Sequence, residues 1–221
     1  MKKIIIGIIV FAVALLVPQI VRAQGTTTYL SNLDQASAGS LAVGSDSWYA
    51  ALFITGTNSS GYTLDSIQLA MTDTTGNPSG FTAMIYSAMF GGAVTPGSTL
   101  GTLSGSLSPA AGGIFTYTPT SNLTLSQSTT YFIVLTAGTA IANGAYDWSH
   151  ADTYSYNQSG GWQTFADILP SSDGLSWRHP ILSSDAQFAI NATAIPEPGV
   201  LGLFALGSLA FLWHRRKAKA V

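Results

Sequence analysis

The sequence predicts an all-β protein: a single antiparallel β-sandwich, jelly-roll-like, with an N-terminal signal helix and a C-terminal single transmembrane helix. Three observations predict it. Short runs rich in Val, Ile, Tyr, Phe and Thr recur through the middle of the chain, some alternating apolar with polar and others continuously apolar. Turn signals separate them, at Gly76-Asn77-Pro78, Gly91-Gly92, Pro96-Gly97, Gly112-Gly113, Asn143-Gly144 and Gly160-Gly161. Between the two ends Glu, Lys and Arg are almost absent, so few strong helix formers remain.

Residues 1–23 read as a signal peptide. Lys2 and Lys3 open it, Ile4 to Val17 form its apolar stretch, and Pro18 ends the helix. Val21 and Ala23 occupy the two positions that must be modest in size, so cleavage is expected after Ala23, leaving Gln24 first. No twin Arg precedes the apolar stretch, which points to the Sec translocon and signal peptidase as partners.

The exported domain is expected over residues 24–193. Its clearest strands are Trp48–Thr55, Tyr62–Met71, Phe81–Ser87, Ile114–Thr118, Thr130–Thr136 and Gln187–Ala192. Weaker ones are Thr26–Asn32, Thr99–Leu103, Tyr146–Ser149, Tyr154–Asn157 and Gly161–Phe165. In the second clear strand Tyr62, Leu64, Ser66 and Gln68 share one face, opposite Thr63, Asp65, Ile67 and Leu69. The unbroken run Tyr131 to Leu135 suits a strand covered on both faces. No repeat of solenoid or propeller length is present.

Residues 194–198 form a linker carrying Pro196-Glu197-Pro198. Two prolines without N–H groups stop both strand and helix there and leave Glu197 extended and accessible. The apolar run 199–213 would span about 22 Å as a helix, short of a full bilayer crossing. Trp213 suits the interface, and Arg215, Arg216, Lys217 and Lys219 in the tail 214–221 stay cytoplasmic. A short, weak span fits a temporary anchor.

Charge is distributed very unevenly. Seven of the eight Lys and Arg lie in the terminal segments, leaving Arg178 alone in the domain against nine Asp, at positions 34, 46, 65, 73, 147, 152, 167, 173 and 185. The domain balance is therefore −8, hidden by the whole-chain value of −2. A surface so poor in cations cannot neutralise phosphates, which excludes nucleic acid as a partner and argues against anionic lipid surfaces. The chain has no Cys, so disulfides, thiol catalysis and thiolate metal sites are excluded. Its 170 or so domain residues suffice for a core without staples.

No catalytic residues are assigned. The domain has two histidines, His150 and His179, and no Gly-x-Ser-x-Gly elbow. All its carboxylates are Asp, and nine scattered Asp carry no glycosidase signature. Asp147, His150 and Asp152 fall within six residues and could offer ligands to a cation. Turn hydrogen bonding explains such Asp residues more simply, and no metal or cofactor is assigned. Trp148, Tyr154, Tyr156, Trp162 and Trp177 crowd a short span, with Asn157, Gln158 and Gln163 beside them. Exposed rings of this kind stack on sugars, whereas buried ones fill a core. Trp148, Trp162 and Trp177, with Asp147 and Asp152, are therefore the candidate ligand residues, and Trp162, following Gly160-Gly161, is expected to be exposed. Four Asn-x-Ser/Thr sequons, at Asn58, Asn122, Asn157 and Asn191, are expected by chance in so Ser/Thr-rich a chain.

Two resemblances follow from these residues. Pro196-Glu197-Pro198, one apolar helix and a basic tail at the extreme C-terminus resemble the PEP-CTERM signal. That resemblance implies an exosortase-type membrane peptidase as partner, transient anchoring in the inner membrane of a Gram-negative bacterium, and delivery to the cell surface or extracellular matrix. It also implies an association with exopolysaccharide and with biofilm or floc formation. Trp48 to Gly56, Gly61 to Ile67, Phe115 to Pro119, Leu123-Thr124-Leu125, Thr129 to Phe132, Tyr146-Asp147-Trp148 and Phe188 to Thr193 together resemble the choice-of-anchor R type of exported domain. That grouping implies no catalytic residues.

Overall fold

The computed structural model describes residues 25–165, 168–178 and 184–197. Fifteen strands follow in chain order: β1 Thr27–Ser31, β2 Gly39–Val43, β3 Trp48–Ile54, β4 Tyr62–Met71, β5 Thr75–Gly76, β6 Thr82–Phe90, β7 Val94–Ser104 and β8 Gly113–Pro119, then β9 Thr124–Leu125, β10 Thr130–Thr136, β11 Gly144–Ala151, β12 Asn157–Gln158, β13 Ile168–Ser171, β14 Asp185–Ala186 and β15 Phe188–Ala194. Helical structure among the described residues is one 3₁₀ turn at Ile141–Asn143. No helix among them is long and apolar enough to cross a membrane. The expected signal helix with Ala23 and Gln24, the apolar run 199–213 and the basic residues Arg215, Arg216, Lys217 and Lys219 lie outside the described residues.

All strand pairs are antiparallel, as the sequence predicts. The hydrogen-bonded order is β12-β1-β15-β4-β8-β7-β6-β10-β3-β13, with β11 pairing β2, β4, β5 and β14 off this path. The path is continuous where β7 meets β8, Leu103 opposite Pro119 and Ser104 opposite Thr118. The strands therefore form one curled sheet where a sandwich would keep two separate ones. Curling lets both ends of the path feed one core: Phe53, Ile85 and Ile133 from β3, β6 and β10 join Ile67, Tyr117 and Ile190 from β4, β8 and β15.

A second apolar cluster lies on the other face of β3, β6 and β10, made by Leu52, Met84, Phe132 and Val134 with Leu169 of β13. β10 is thus buried on both faces, the physical reason for its unbroken apolar run. β4 shows a different device. Its buried residues are Tyr62 and Leu64, then Ile67, Leu69 and Met71, so the inward face changes phase midway. The change falls where β15 shifts register, Ala192 opposite Leu64 but Asn191 opposite Ser66, leaving Asp65 as the extra residue of a bulge. The expected single face of Tyr62, Leu64, Ser66 and Gln68 is corrected by this bulge. Thr193 donates to Asp65 Oδ2 at 2.7 Å and Asn191 Nδ2 to Ser66 Oγ at 3.0 Å, so the displaced polar groups are paired.

Candidate sorting site

The last strand ends in a clamp. The turn from Asn58 to Gly61 closes with the Gly61 N–H on the Asn58 carbonyl at 2.9 Å, and Gly61 takes φ +79°, a conformation few side chains tolerate. This turn grips the chain just past β15. The Ile195 N–H donates to the Gly61 carbonyl at 3.0 Å. Asn58 Nδ2 donates to the Ile195 carbonyl at 2.9 Å and to the Gly61 carbonyl at 2.6 Å. Both backbone groups of Ile195 are thereby satisfied, and the fold holds the chain up to that residue.

An aromatic cluster supports the clamp from below. The Asn58 N–H donates to the Tyr62 hydroxyl at 3.1 Å. The Tyr62 ring meets Trp162 edge-on at 5.0 Å and Tyr29 edge-on at 5.2 Å. Trp162 in turn stacks on Tyr29 at 5.0 Å and on Phe53 at 5.9 Å. Beyond the clamp, Pro196 and Glu197 are exposed. Pro198 lies outside the described residues. The boundary between fold and motif is thus drawn at one peptide bond, after Ile195.

Asn58, Gly61 and Tyr62 were not legible as functional residues. Asn58 reads in sequence only as a sequon in a Ser/Thr-rich stretch. The Asn-to-Gly spacing is a turn signal, but nothing local tells that the turn holds a segment more than a hundred residues away.

The candidate ligand residues scatter. Trp162 is 1 % exposed, which overturns its expected exposure. Gly160 and Gly161 take φ +58° and +77°, and this reversal carries the ring inward, where Ile54 and Gln163 bridge the entering chain to β3. Trp148 is fully buried on β11, with Nε1 donating to the Gln187 carbonyl at 3.0 Å. Neither ring can stack on a sugar. Trp177 alone of the three reaches solvent, half-buried against the second apolar cluster.

Asp147 is a buried strand residue and no turn residue. Its Oδ1 accepts from Ser40 Oγ at 3.1 Å, and its backbone carbonyl accepts the Thr72 N–H at 2.8 Å. Asp152 is exposed just past the end of the same strand. Among the described residues no three His, Asp or Glu side chains gather as metal ligands. The His150 ring packs over Gly39, while His179 lies outside the described residues.

A model of the PEP-CTERM protein-sorting motif matches residues 194–217. The match begins at the last residue of β15 and takes in the clamped Ile195 and the exposed Pro196 and Glu197. It supports an exported, cell-surface protein sorted through exosortase. No curated protein and no solved structure matches the chain.

Proposed function

We propose that this chain is the substrate of an exosortase-type membrane peptidase and has a structural or adhesive role, without catalysis, in an exopolysaccharide-associated biofilm or floc. In this reading Sec translocates it and signal peptidase cuts after Ala23. The segment 199–213 then holds it in the inner membrane of a Gram-negative bacterium until cleavage at Pro196-Glu197-Pro198 sends the domain to the envelope surface or matrix. One observation carries the reading: the motif match spans the point where the fold ends, and the first residues past the clamp are the exposed Pro196 and Glu197. A peptidase needs extended, accessible chain, and the two prolines favour an extended backbone there. The likeness to choice-of-anchor R domains belongs to the same proposal and is carried by the order of the segments quoted above.

The test is the intact mass of the protein recovered from host membrane and extracellular fractions. The expected species starts at Gln24 and ends between Pro196 and Gly199, and it disappears in Glu197→Ala. A chain running through Val221 and found only in membranes would overturn the sorting reading.

The second reading, a carbohydrate-binding module, keeps one observation in its favour. Trp177 is the candidate ring that stands at the surface, in a groove that also holds the domain's single cation.

A further inference from the structure

The groove beside Trp177 is built by a closed loop. Ser171 Oγ accepts the N–H groups of Asp173 at 3.3 Å and Gly174 at 2.9 Å. Asp173 Oδ1 accepts those of Leu175 at 2.9 Å and Ser176 at 2.8 Å. The chain then returns to β13, with Ser171 bridged to Trp177 and the Arg178 N–H on the Pro170 carbonyl at 3.0 Å. The result fixes Trp177 and Arg178 at the lip of a groove of about 320 Å³. Its floor is Leu52 and Leu169, its second ring is Phe165, 56 % exposed, and Thr130 of β10 also lines it.

Three properties define what this groove accepts. Its size is at the lower end for small-molecule sites, on the scale of one sugar ring and too small for a lipid. Its two aromatic rings and apolar floor suit the C–H face of a pyranose. Its polar recognition element is a guanidinium, which pairs with a carboxylate through two parallel hydrogen bonds. Arg178 is the only Lys or Arg between residues 24 and 195, where nine Asp repel anions. An anionic ligand therefore finds attraction at one place on this domain.

We propose that the Trp177–Phe165–Arg178 groove binds a hexuronate unit, an acidic sugar whose ring stacks on the aromatic pair and whose carboxylate meets Arg178. The inference sharpens the carbohydrate-binding reading and rests on it. It is independent of sorting, because the groove is complete in the uncut chain.

The test is saturation-transfer NMR on the full chain in non-ionic detergent, with methyl glucuronide, methyl glucoside and octanoate as probes. Transfer to the ring C–H protons of the glucuronide is expected, with affinity about tenfold or more above the glucoside, the size of one charge-assisted contact. Arg178→Gln is expected to remove that preference and Phe165→Ala to weaken both sugars, each with an unchanged unfolding temperature, since both side chains are exposed. Equal binding of glucuronide and glucoside, an Arg178→Gln variant that keeps the preference, or octanoate binding alone each overturns the proposal. Equal binding of both sugars would overturn the hexuronate inference alone, whereas transfer to neither sugar would overturn it together with the carbohydrate-binding reading.

Discussion

At the scale of single residues, Asn58 and two tyrosines carry the sharpest consequences. One Asn58 amide nitrogen serves two backbone carbonyls, those of Gly61 and Ile195. Asn58→Ala removes both bonds in a partly buried setting and is expected to cost about 1–2 kcal/mol. In a domain of this size that lowers the unfolding temperature by about 2–8 °C. The same variant leaves Ile195 held only by its N–H bond to the Gly61 carbonyl, so limited proteolysis of the full chain with elastase is expected to cut faster at Ala194–Ile195, the Ile195–Pro196 bond itself being resistant. Unchanged proteolysis would mean that the clamp does not set the boundary. Tyr117 and Tyr156 bear on pH. Burial raises both phenols above their ordinary value near 10, and the neighbouring Asp185 raises Tyr156 further. The folded state keeps these protons at pH values where the unfolded chain has begun to lose them. Their contribution is therefore intact below pH about 10 and declines above it. Chemical denaturation at stepped alkaline pH is expected to show that decline, and Tyr156→Phe to reduce it.

At the scale of elements, legibility followed covering. β10 and β4 match their expected bounds because each presents apolar residues to a core from within its own sequence. β2, containing Gly39 and Ser40, and β13, containing Pro170, are not among the expected strands. Their strand state comes from partners: β2 lies along β11, and β13 lies along β3 at the end of the path, where a residue without an N–H is tolerated. The opposite error occurred at Tyr154–Asn157 and Gly161–Phe165, where aromatic content suggested strands. Only Asn157 joins β12 there, while Gln163 forms a single bridge. The phase change in β4 was equally hidden, since a bulge is a property of the pair β4–β15 and leaves no mark in one strand's residues. Of the candidate site, the motif at 196–198 was readable locally, whereas the clamp and groove join distant segments. β15 makes the strongest element-level prediction. It fills the position between β1 and β4, so a chain ending before Phe188 leaves β1 and β4 each without that neighbour. Such a truncation is expected to abolish the cooperative unfolding transition followed by circular dichroism. A truncation after Ile195 is expected to retain it.

At the scale of the whole molecule, charge connects folding with processing. The termini hold seven of eight cations, so the proposed cuts convert a chain with a sequence pI near 5.8 into a domain with Arg178 as its sole Lys or Arg. With so few cations, neutrality is reached only when most carboxylates are protonated, and the processed domain is expected to focus below about pH 4. The Asp residues, with one Arg among them, also repel one another, a cost that grows as screening falls. Raising ionic strength from about 0.01 to about 0.15 M shortens the Debye length severalfold and is expected to raise the unfolding temperature. The two measurements test different parts of the argument. A secreted form that keeps Arg215, Arg216, Lys217 and Lys219 carries four more cations than the cleaved domain, so a focusing point clearly above that of the cleaved domain would count against cleavage at the triplet. A processed domain that focuses low but loses stability with salt would leave sorting intact. It would show instead that local pairing, such as Asp65 with Thr193 and Asp173 with its loop N–H groups, already offsets the repulsion.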